Sequence, residues 1–169
     1  MKADEVVDMF RHYRHDLLND IQLIHGYASM GNLDKIKDKL QDLLQKTNEE
    51  RRLTNLKCPH FTLWLMNFNA QYENIRLSYK VLIQEDLSTF DLTLYATCQE
   101  IIQILHNYSS KEKLYNGELI LFNEGEPKVK LTFDGAFRNL EECRQKLKKQ
   151  EYVETIEVKE EKLSVLFAF

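Results

Sequence analysis

Polar side chains near the amino terminus have the residue types and the spacing of a reactive site. His12, His15, Asp16 and Asn19 lie three, four and seven residues apart, so on a helix they share one face. The neutral imidazole of His15 could attack a phosphorus atom if its other ring nitrogen kept its proton and an acceptor held it. Asp16 could orient or deprotonate the ring, and Asn19 could hydrogen-bond an incoming phosphoryl group or the backbone of a partner.

Two other interpretations of these residues remain open from spacing alone. His12, His15 and Asp16 could hold a zinc ion, but such a site would be open and no cysteine or further histidine completes it, so no metal site is predicted. The second alternative is that His15 is an ordinary exposed histidine. The five glycines never cluster, and the chain contains no phosphate-binding glycine-rich loop and no hydrolase or zinc-protease motif.

A long helix must position these groups. Apolar residues from Val6 to Ala28 recur at alternating intervals of three and four, which predicts an amphipathic helix over about residues 3–30. His15 lies about 160–200° around this helix from Tyr13 and Leu17 at 100° per residue. The sequence therefore predicts that His15 is exposed at mid-helix while the apolar seam points inward.

A second helix follows after a short connector. Gly31 and Asn32 are typical of a helix end followed by a new helix start, and a second apolar seam runs from Leu33 to Thr54 before Pro59. The two helices must be antiparallel, and alone they cannot enclose a core. We expect a second copy of the chain to complete a four-helix bundle. The alternative is that both helices pack on the carboxyl-terminal part of the same chain.

After Pro59 the pattern changes to short helices alternating with strands. Alternating apolar residues predict a strand within residues 74–84, and later runs predict strands at 117–124, 127–135, 152–160 and 162–169. Helices are expected over residues 61–72, 91–108 and about 139–149. The predicted fold class is thus α+β. A helical hairpin over residues 1–57 precedes a small α/β domain over residues 58–169, with helices on one face of a mixed or antiparallel sheet.

Composition excludes several classes of protein. The 169 residues are 43% hydrophobic and 30% charged with a net charge of −4, and the basic residues do not cluster, so no nucleic-acid partner is expected. Cys58, Cys98 and Cys143 are far apart, which argues against disulfides and favours a reducing cytoplasm. The apolar runs are too short to cross a bilayer and the amino terminus lacks a signal-peptide core, so we expect a cytoplasmic protein without a membrane partner.

The stretch "HYRHDLLNDIQLIHG", residues 12–26, resembles the phosphoacceptor helix of the sporulation initiation phosphotransferase family of bacilli. "LTNLKCPH" (residues 53–60) is similar to the end of that family's second helix, and "LTFDGAF" (131–137) to part of its carboxyl-terminal domain. The resemblance extends over nearly the whole chain. It implies a homodimer in which His15 is the phosphoacceptor.

The resemblance also implies a reaction and its partners. A phosphorylated response regulator donates its aspartyl phosphoryl group to His15, which passes it to the aspartate of a second regulator and so controls the initiation of sporulation. Such transfer needs positioning and charge neutralisation more than covalent help. The regulator would supply the Mg²⁺, and this chain would bind no cofactor. The residues expected to contact the regulators lie around His15: Arg11, His12, Arg14, Leu18 and Gln22.

The second half resembles a degenerate ATP-binding domain of histidine kinases. In "EIIQILHNYSS", residues 100–110, Gln103 stands where kinases place a metal-binding Asn, and only Asn107 matches the pattern. "DGAF", residues 134–137, keeps Asp134 and Gly135 of the kinase D-x-G-x-G box but lacks the second Gly. We therefore expect a phosphotransferase without ATP-dependent kinase activity. The alternatives are a truncated sensor kinase that uses ATP and a dimeric scaffold whose His15 never reacts.

Overall fold

The computed structural model describes residues 3–169 as five α-helices, one short 3-10 helix (Ser88–Phe90) and a five-stranded sheet. The helices are α1 (Ala3–Ser29), α2 (Leu33–Asn55), α3 (Pro59–Gln71), α4 (Asp91–Tyr108) and α5 (Leu140–Leu147). The strands are β1 (Ile75–Val81), β2 (Tyr115–Asn123), β3 (Pro127–Asp134), β4 (Val153–Lys159) and β5 (Lys162–Ala168). Every helix and strand predicted from the sequence is present, with bounds that differ by a few residues at most.

The turn between α1 and α2 has the predicted chemistry. Gly31 has a φ of +63°, in the left-handed region that glycine enters without steric cost, and it ends α1. The side chain of Asn32 then accepts a hydrogen bond from the backbone N–H of Lys35 at 3.1 Å, which caps the first turn of α2. Because the connector is so short, the two helices run antiparallel as expected.

The sheet is mixed and has one buried face. Its strand order is β1-β2-β3-β5-β4, with β1 and β2 parallel and the other neighbours antiparallel. Alternate residues of the strands are buried together with apolar side chains of α3, α4 and α5 in one core. The other face carries ion pairs such as Lys80 with Glu118 and Lys162 with Asp134. The α+β fold class and the placement of the helices are thus confirmed.

The chain divides into two compact units, residues 1–51 and 52–169. This division falls inside α2, because Leu53 in its last turn and Leu56 directly after it are fully buried in the core of the second unit. The start of α3 continues that core with Phe61. The domain boundary at 57/58 expected from the sequence stays a prediction.

Two further expectations from the sequence concern disulfides and membrane-spanning segments. Cys58, Cys98 and Cys143 are buried free thiols. Burial raises the pKa of Cys58 to about 12, with the carboxylates of Asp91 and Asp86 adding to the effect, and raises that of Cys143 to about 11. Across residues 3–169, no helix combines the length and the apolar character needed to cross a membrane.

Candidate functional site around His15

His15 lies in the middle of α1 and faces solvent. Its side chain is 72% exposed, and that of the neighbouring Asp16 is 64% exposed. The exposure predicted from the helical spacing is therefore confirmed. A rigid helix supports the imidazole, so a macromolecule can reach the ring without any rearrangement of the backbone.

The ring of His15 is held through one nitrogen. Its Nδ1 lies 3.2 Å from the amide nitrogen of Asn19 and 3.5 Å from a carboxylate oxygen of Asp16. No described residue makes a hydrogen bond to Nε2. The side chains one position and four positions further along α1 thus orient the ring with Nδ1 toward its own helix.

The two contacts at Nδ1 correspond to two tautomers of the imidazole. When Nδ1 carries the proton, it donates to Asp16 and leaves a lone pair on Nε2, which is the nucleophilic form. When Nδ1 accepts from the Asn19 amide, the proton lies on Nε2 instead. Asp16 therefore favours the reactive tautomer, and the carboxylate also stabilises the cation that forms when Nε2 gains a substituent.

His12, one turn before His15, is held differently. Its Nδ1–H donates to the backbone carbonyl of Asp8 at 2.8 Å. The side chain of Asp8 also forms an ion pair of 2.7 Å with Arg11. No carboxylate of the described residues contacts the His12 ring, so the arrangement of acid and amide around Nδ1 distinguishes His15 from its neighbour.

The other residues expected at the docking surface are exposed on α1. Arg11, Leu18 and Gln22 follow the same stripe of the helix as His15, at intervals of four, three and four residues. Leu18 is 49% exposed, which leaves it available as an apolar contact. Arg14 is also exposed but lies about 100° around the helix from His15.

Sequence reasoning missed the contacts that fix α1 against α2. The hydroxyl of Tyr13 donates to a carboxylate oxygen of Glu50 at 3.1 Å, and Lys39 forms an ion pair of 2.8 Å with Asp20. These pairs join the two helices of the hairpin through side chains on the faces that they turn toward each other. The single sequence contains no signal that pairs residues 37 positions apart, so only the folded hairpin could identify them.

In the second unit, the segment that resembles the kinase box serves packing. Gly135 has a φ of +126°, and a Cβ at this position would lie 2.8 Å from the ring of Tyr115. Tyr115 packs against Phe137 with ring centroids 4.8 Å apart and the ring planes tilted by 34°, and its hydroxyl donates to the carbonyl of Ala136 at 2.8 Å. Asp134 points to the opposite, ion-paired face of the sheet. Gly135 is thus required by the Tyr115 ring, independently of any ligand.

The described residues contain no group of three or more His, Cys, Asp or Glu side chains arranged to hold a metal ion. His12, His15 and Asp16 therefore do not converge on a common point in residues 3–169. His60 and His106 instead have structural neighbours. His60 contacts Asp91 at 2.8 Å, and the His106 ring packs edge-on against Tyr72.

Two family models together match nearly the whole chain. Residues 1–56 match the alpha-helical domain of SpoOB-type sensor kinases, and residues 57–168 match the carboxyl-terminal domain of sporulation initiation phosphotransferase B. The chain belongs to the sporulation initiation phosphotransferase B family. The family resemblance noted in residues 12–26, 53–60 and 131–137 is therefore confirmed, and the exposed histidine helix lies within the first family domain.

One relative in this family and one solved structure give the extent of the similarity. Sporulation initiation phosphotransferase B of Bacillus subtilis (strain 168) is 29% identical over 111 residues, which are 65% of this chain and 58% of that protein. A crystal structure of a histidine kinase in complex with a response regulator protein aligns with 95% of this chain and 60% of its own at 13% identity. Its TM-score of 0.38 is too low to support an inference about this protein.

Proposed function

We propose that the protein is a phosphorelay phosphotransferase in which His15 carries the phosphoryl group. The Nε2 lone pair of His15 attacks the phosphorus of an aspartyl phosphate on one response regulator. The bond from phosphorus to the aspartyl oxygen breaks, and the carboxylate leaves. In the second half of the reaction, the aspartate of another regulator attacks phosphohistidine, and the imidazole leaves.

The observation that carries this proposal is the setting of the His15 ring. The imidazole is 72% exposed, and Asp16 and Asn19 both contact Nδ1, so Nε2 is the nitrogen that can receive the phosphoryl group. Membership in the family supplies the reaction class. The carboxylate of Asp16 stabilises the charged ring of the transition state, and the rigid helix limits the entropy lost on docking.

The partners we propose are two response regulators. The regulator supplies Mg²⁺ and most of the positive charge that neutralises the phosphoryl group, while this chain binds no cofactor. The docking surface is the exposed stripe around His15, with Arg11, Leu18 and Gln22 among its contacts and His12 and Arg14 beside it. Sporulation initiation is the process this relay would control.

We further propose that the protein acts as a homodimer. Large apolar side chains of the hairpin are exposed in the single chain: Phe10 is 64% exposed, Ile21 49% and Leu44 64%. Leaving such a continuous apolar seam in water costs free energy, roughly 25 cal/mol for each Å² of apolar surface that stays exposed. A four-helix bundle formed with a second hairpin would bury it.

The direct test is a transfer assay without ATP. The chain is mixed with a ³²P-phosphorylated response regulator of the sporulation type and Mg²⁺, and label is followed onto this chain. We expect acid-labile label on the wild type, none on His15→Ala, and normal labelling of His25→Ala, which removes another exposed histidine of α1. Equal labelling of His15→Ala and the wild type would contradict the assignment.

A second experiment tests the absence of ATP-dependent activity. Since Tyr115 occupies the space above Gly135 and Gln103 stands in place of the kinase Asn, we expect neither autophosphorylation from labelled ATP nor a rise in melting temperature with Mg-ATP. A ligand present at 100 times its dissociation constant would add about 2.7 kcal/mol of stability, which a thermal shift detects easily. Label transferred from ATP to His15 would identify a kinase instead.

A further inference from the structure

A long groove follows the solvent-facing side of α4 in the second unit. Two depressions, of about 340 and 370 Å³, both include Ala96 and Glu100 in their lining, so they are continuous. We call this channel the α4 groove. It runs from Leu92, in the first turn of α4, to Asn107 near its end. These positions are about 22 Å apart at 1.5 Å per residue, which is the length of about four helical turns.

Two large apolar side chains lie among the polar residues at one end of the α4 groove. Leu92 is 63% exposed and Tyr152 is 37% exposed, and both line the same depression. The small side chain of Ala96 lies in the lining next to them and leaves the hollow open. Exposed large apolar side chains in a concave surface are typical of a site that contacts another protein.

The charges around the α4 groove have one sign. Glu100 and Glu151 line it, and no Lys or Arg contributes to either depression. Neither carboxylate forms an ion pair with any described residue. The two acidic side chains are therefore available to a partner, and they disfavour anions such as phosphates and nucleic acids.

We propose that the α4 groove binds an amphipathic helix of a partner protein, with an apolar stripe against Leu92 and Tyr152 and Lys or Arg side chains on Glu100 and Glu151. The channel follows α4 for about four helical turns, a length that a partner helix of about 14 residues can match. The negative lining selects the basic partner. This site goes beyond the phosphoryl transfer proposed for His15 and does not depend on it.

The test uses a defined probe and the full chain. A fluorescein-labelled helical peptide of about 14 residues, the length that fills the channel, presents leucines every three or four positions and lysines on both flanks. Its binding is followed by fluorescence anisotropy. A second peptide with glutamate in place of every lysine has the same apolar stripe and the opposite charge.

Two groove variants and one control complete the design. Glu100→Lys/Glu151→Lys reverses the charge of the lining, and Ala96→Arg fills the hollow. Glu160→Lys/Glu161→Lys makes the same change of charge in the exposed turn between β4 and β5. Circular dichroism of each variant verifies that it folds.

We expect the basic peptide to bind the wild type and the turn variant equally, and to bind each groove variant at least about tenfold more weakly, as expected for loss of close charge pairs. The acidic peptide should not bind. Equal binding of the basic peptide by the wild type and Glu100→Lys/Glu151→Lys, or no binding by the wild type, would overturn the proposal. Two further outcomes would also overturn the proposal. Mg-ATP binding that Ala96→Arg abolishes would identify a nucleotide site. A change in oligomeric state caused by Ala96→Arg would identify a second copy of the chain as the occupant.

Discussion

At the scale of single residues, the chemistry of His15 depends on which ring nitrogen carries the proton. A lone exposed histidine exchanges between tautomers in water, and only one of them presents a lone pair at Nε2. Asp16, whose carboxylate lies 3.5 Å from Nδ1, favours that tautomer, and Asn19 at 3.2 Å restricts the rotation of the ring. The two neighbours thus have different roles, which their substitution should separate.

For Asp16→Asn we expect a fall in the rate of phosphoryl transfer to His15 of about 10²-fold, because the proton on Nδ1 loses its anionic acceptor. For Asn19→Ala we expect a smaller loss of about tenfold, because the amide can no longer hydrogen-bond the incoming phosphoryl group, a bond of about 1.5 kcal/mol. Single-turnover labelling by the phosphorylated regulator measures both rates. Unchanged rates in Asp16→Asn would show that the carboxylate does not act on the ring.

At the scale of elements, Asp91 joins the amino ends of α3 and α4. Its carboxylate accepts hydrogen bonds from the backbone N–H groups of His60 and Phe61, at 3.1 and 2.9 Å, and from Nδ1 of His60 at 2.8 Å. Burial alone would raise the pKa of Asp91. These hydrogen bonds outweigh that effect and hold the pKa below its usual value. A helix start therefore depends on one charged side chain 30 residues away.

For Asp91→Asn we expect a loss of about 1–3 kcal/mol of unfolding free energy at pH 7. The folded pKa of Asp91 is below the unfolded value of about 3.9, so its contribution is complete above about pH 4 and is lost as the pH falls through the folded pKa. Urea unfolding at several pH values should show the difference from wild type shrinking toward acid. Asp42→Asn, an exposed change on α2, should show little difference at any pH, and a constant deficit in Asp91→Asn would contradict the assignment.

The turn after β3 depends on the close approach of Gly135 to the ring of Tyr115. Gly135→Ala introduces a Cβ that would lie 2.8 Å from the Tyr115 ring, at a φ of +126° that L-residues rarely adopt. We expect a loss of about 1–3 kcal/mol from strain and displaced packing. Gly31 also has a positive φ, but a Cβ there would meet open space. We therefore expect Gly31→Ala to lose about 1 kcal/mol of unfolding free energy, which measures the backbone cost alone. Equal losses in the two variants, measured by urea unfolding, would exclude a packing role for Gly135.

At the scale of the whole molecule, the two compact units differ in how much apolar surface each of them buries by itself. Residues 52–169 enclose a core of their own between the sheet and three helices. Over residues 6–51 the hairpin has no fully buried apolar side chain, since its seam residues are half-buried or exposed. A hairpin of this kind gains stability mainly from a partner surface, and the proposed bundle would present two copies of His15.

Ile21→Glu should therefore convert a dimer into a monomer. Ile21 lies in the apolar seam and is 49% exposed in the single chain, and a carboxylate there would be desolvated in the bundle. Leu23→Glu is a close control, because Leu23 is 48% exposed but lies about 200° around the helix. Sedimentation velocity should show a monomer for Ile21→Glu and a dimer for Leu23→Glu and the wild type. A wild-type monomer would refute the proposed assembly.

The local elements and the candidate site followed from the sequence because their causes are local. Apolar periodicity, Gly31 with Asn32, and the strand alternation of residues 75–81 each depend on neighbours a few positions apart, and the structure has the predicted elements at these places. The exposure of His15 follows from the same periodicity, since a residue opposite an apolar seam must face water. The roles of Asp16 and Asn19 in transfer stay predictions.

The tertiary structure decided what depends on long-range contacts. The pairing of β1 with β2, the pairing of Tyr13 with Glu50, and the cap that Asp91 provides for α3 join residues 30 or more positions apart, for which a single chain contains no pairing signal. The compact division inside α2 has the same origin, because periodicity continues through Leu53 whether that residue faces a hairpin or a second core. The sequence determined the elements and the exposed polar face of α1, and the folded structure determined which distant side chains contact them.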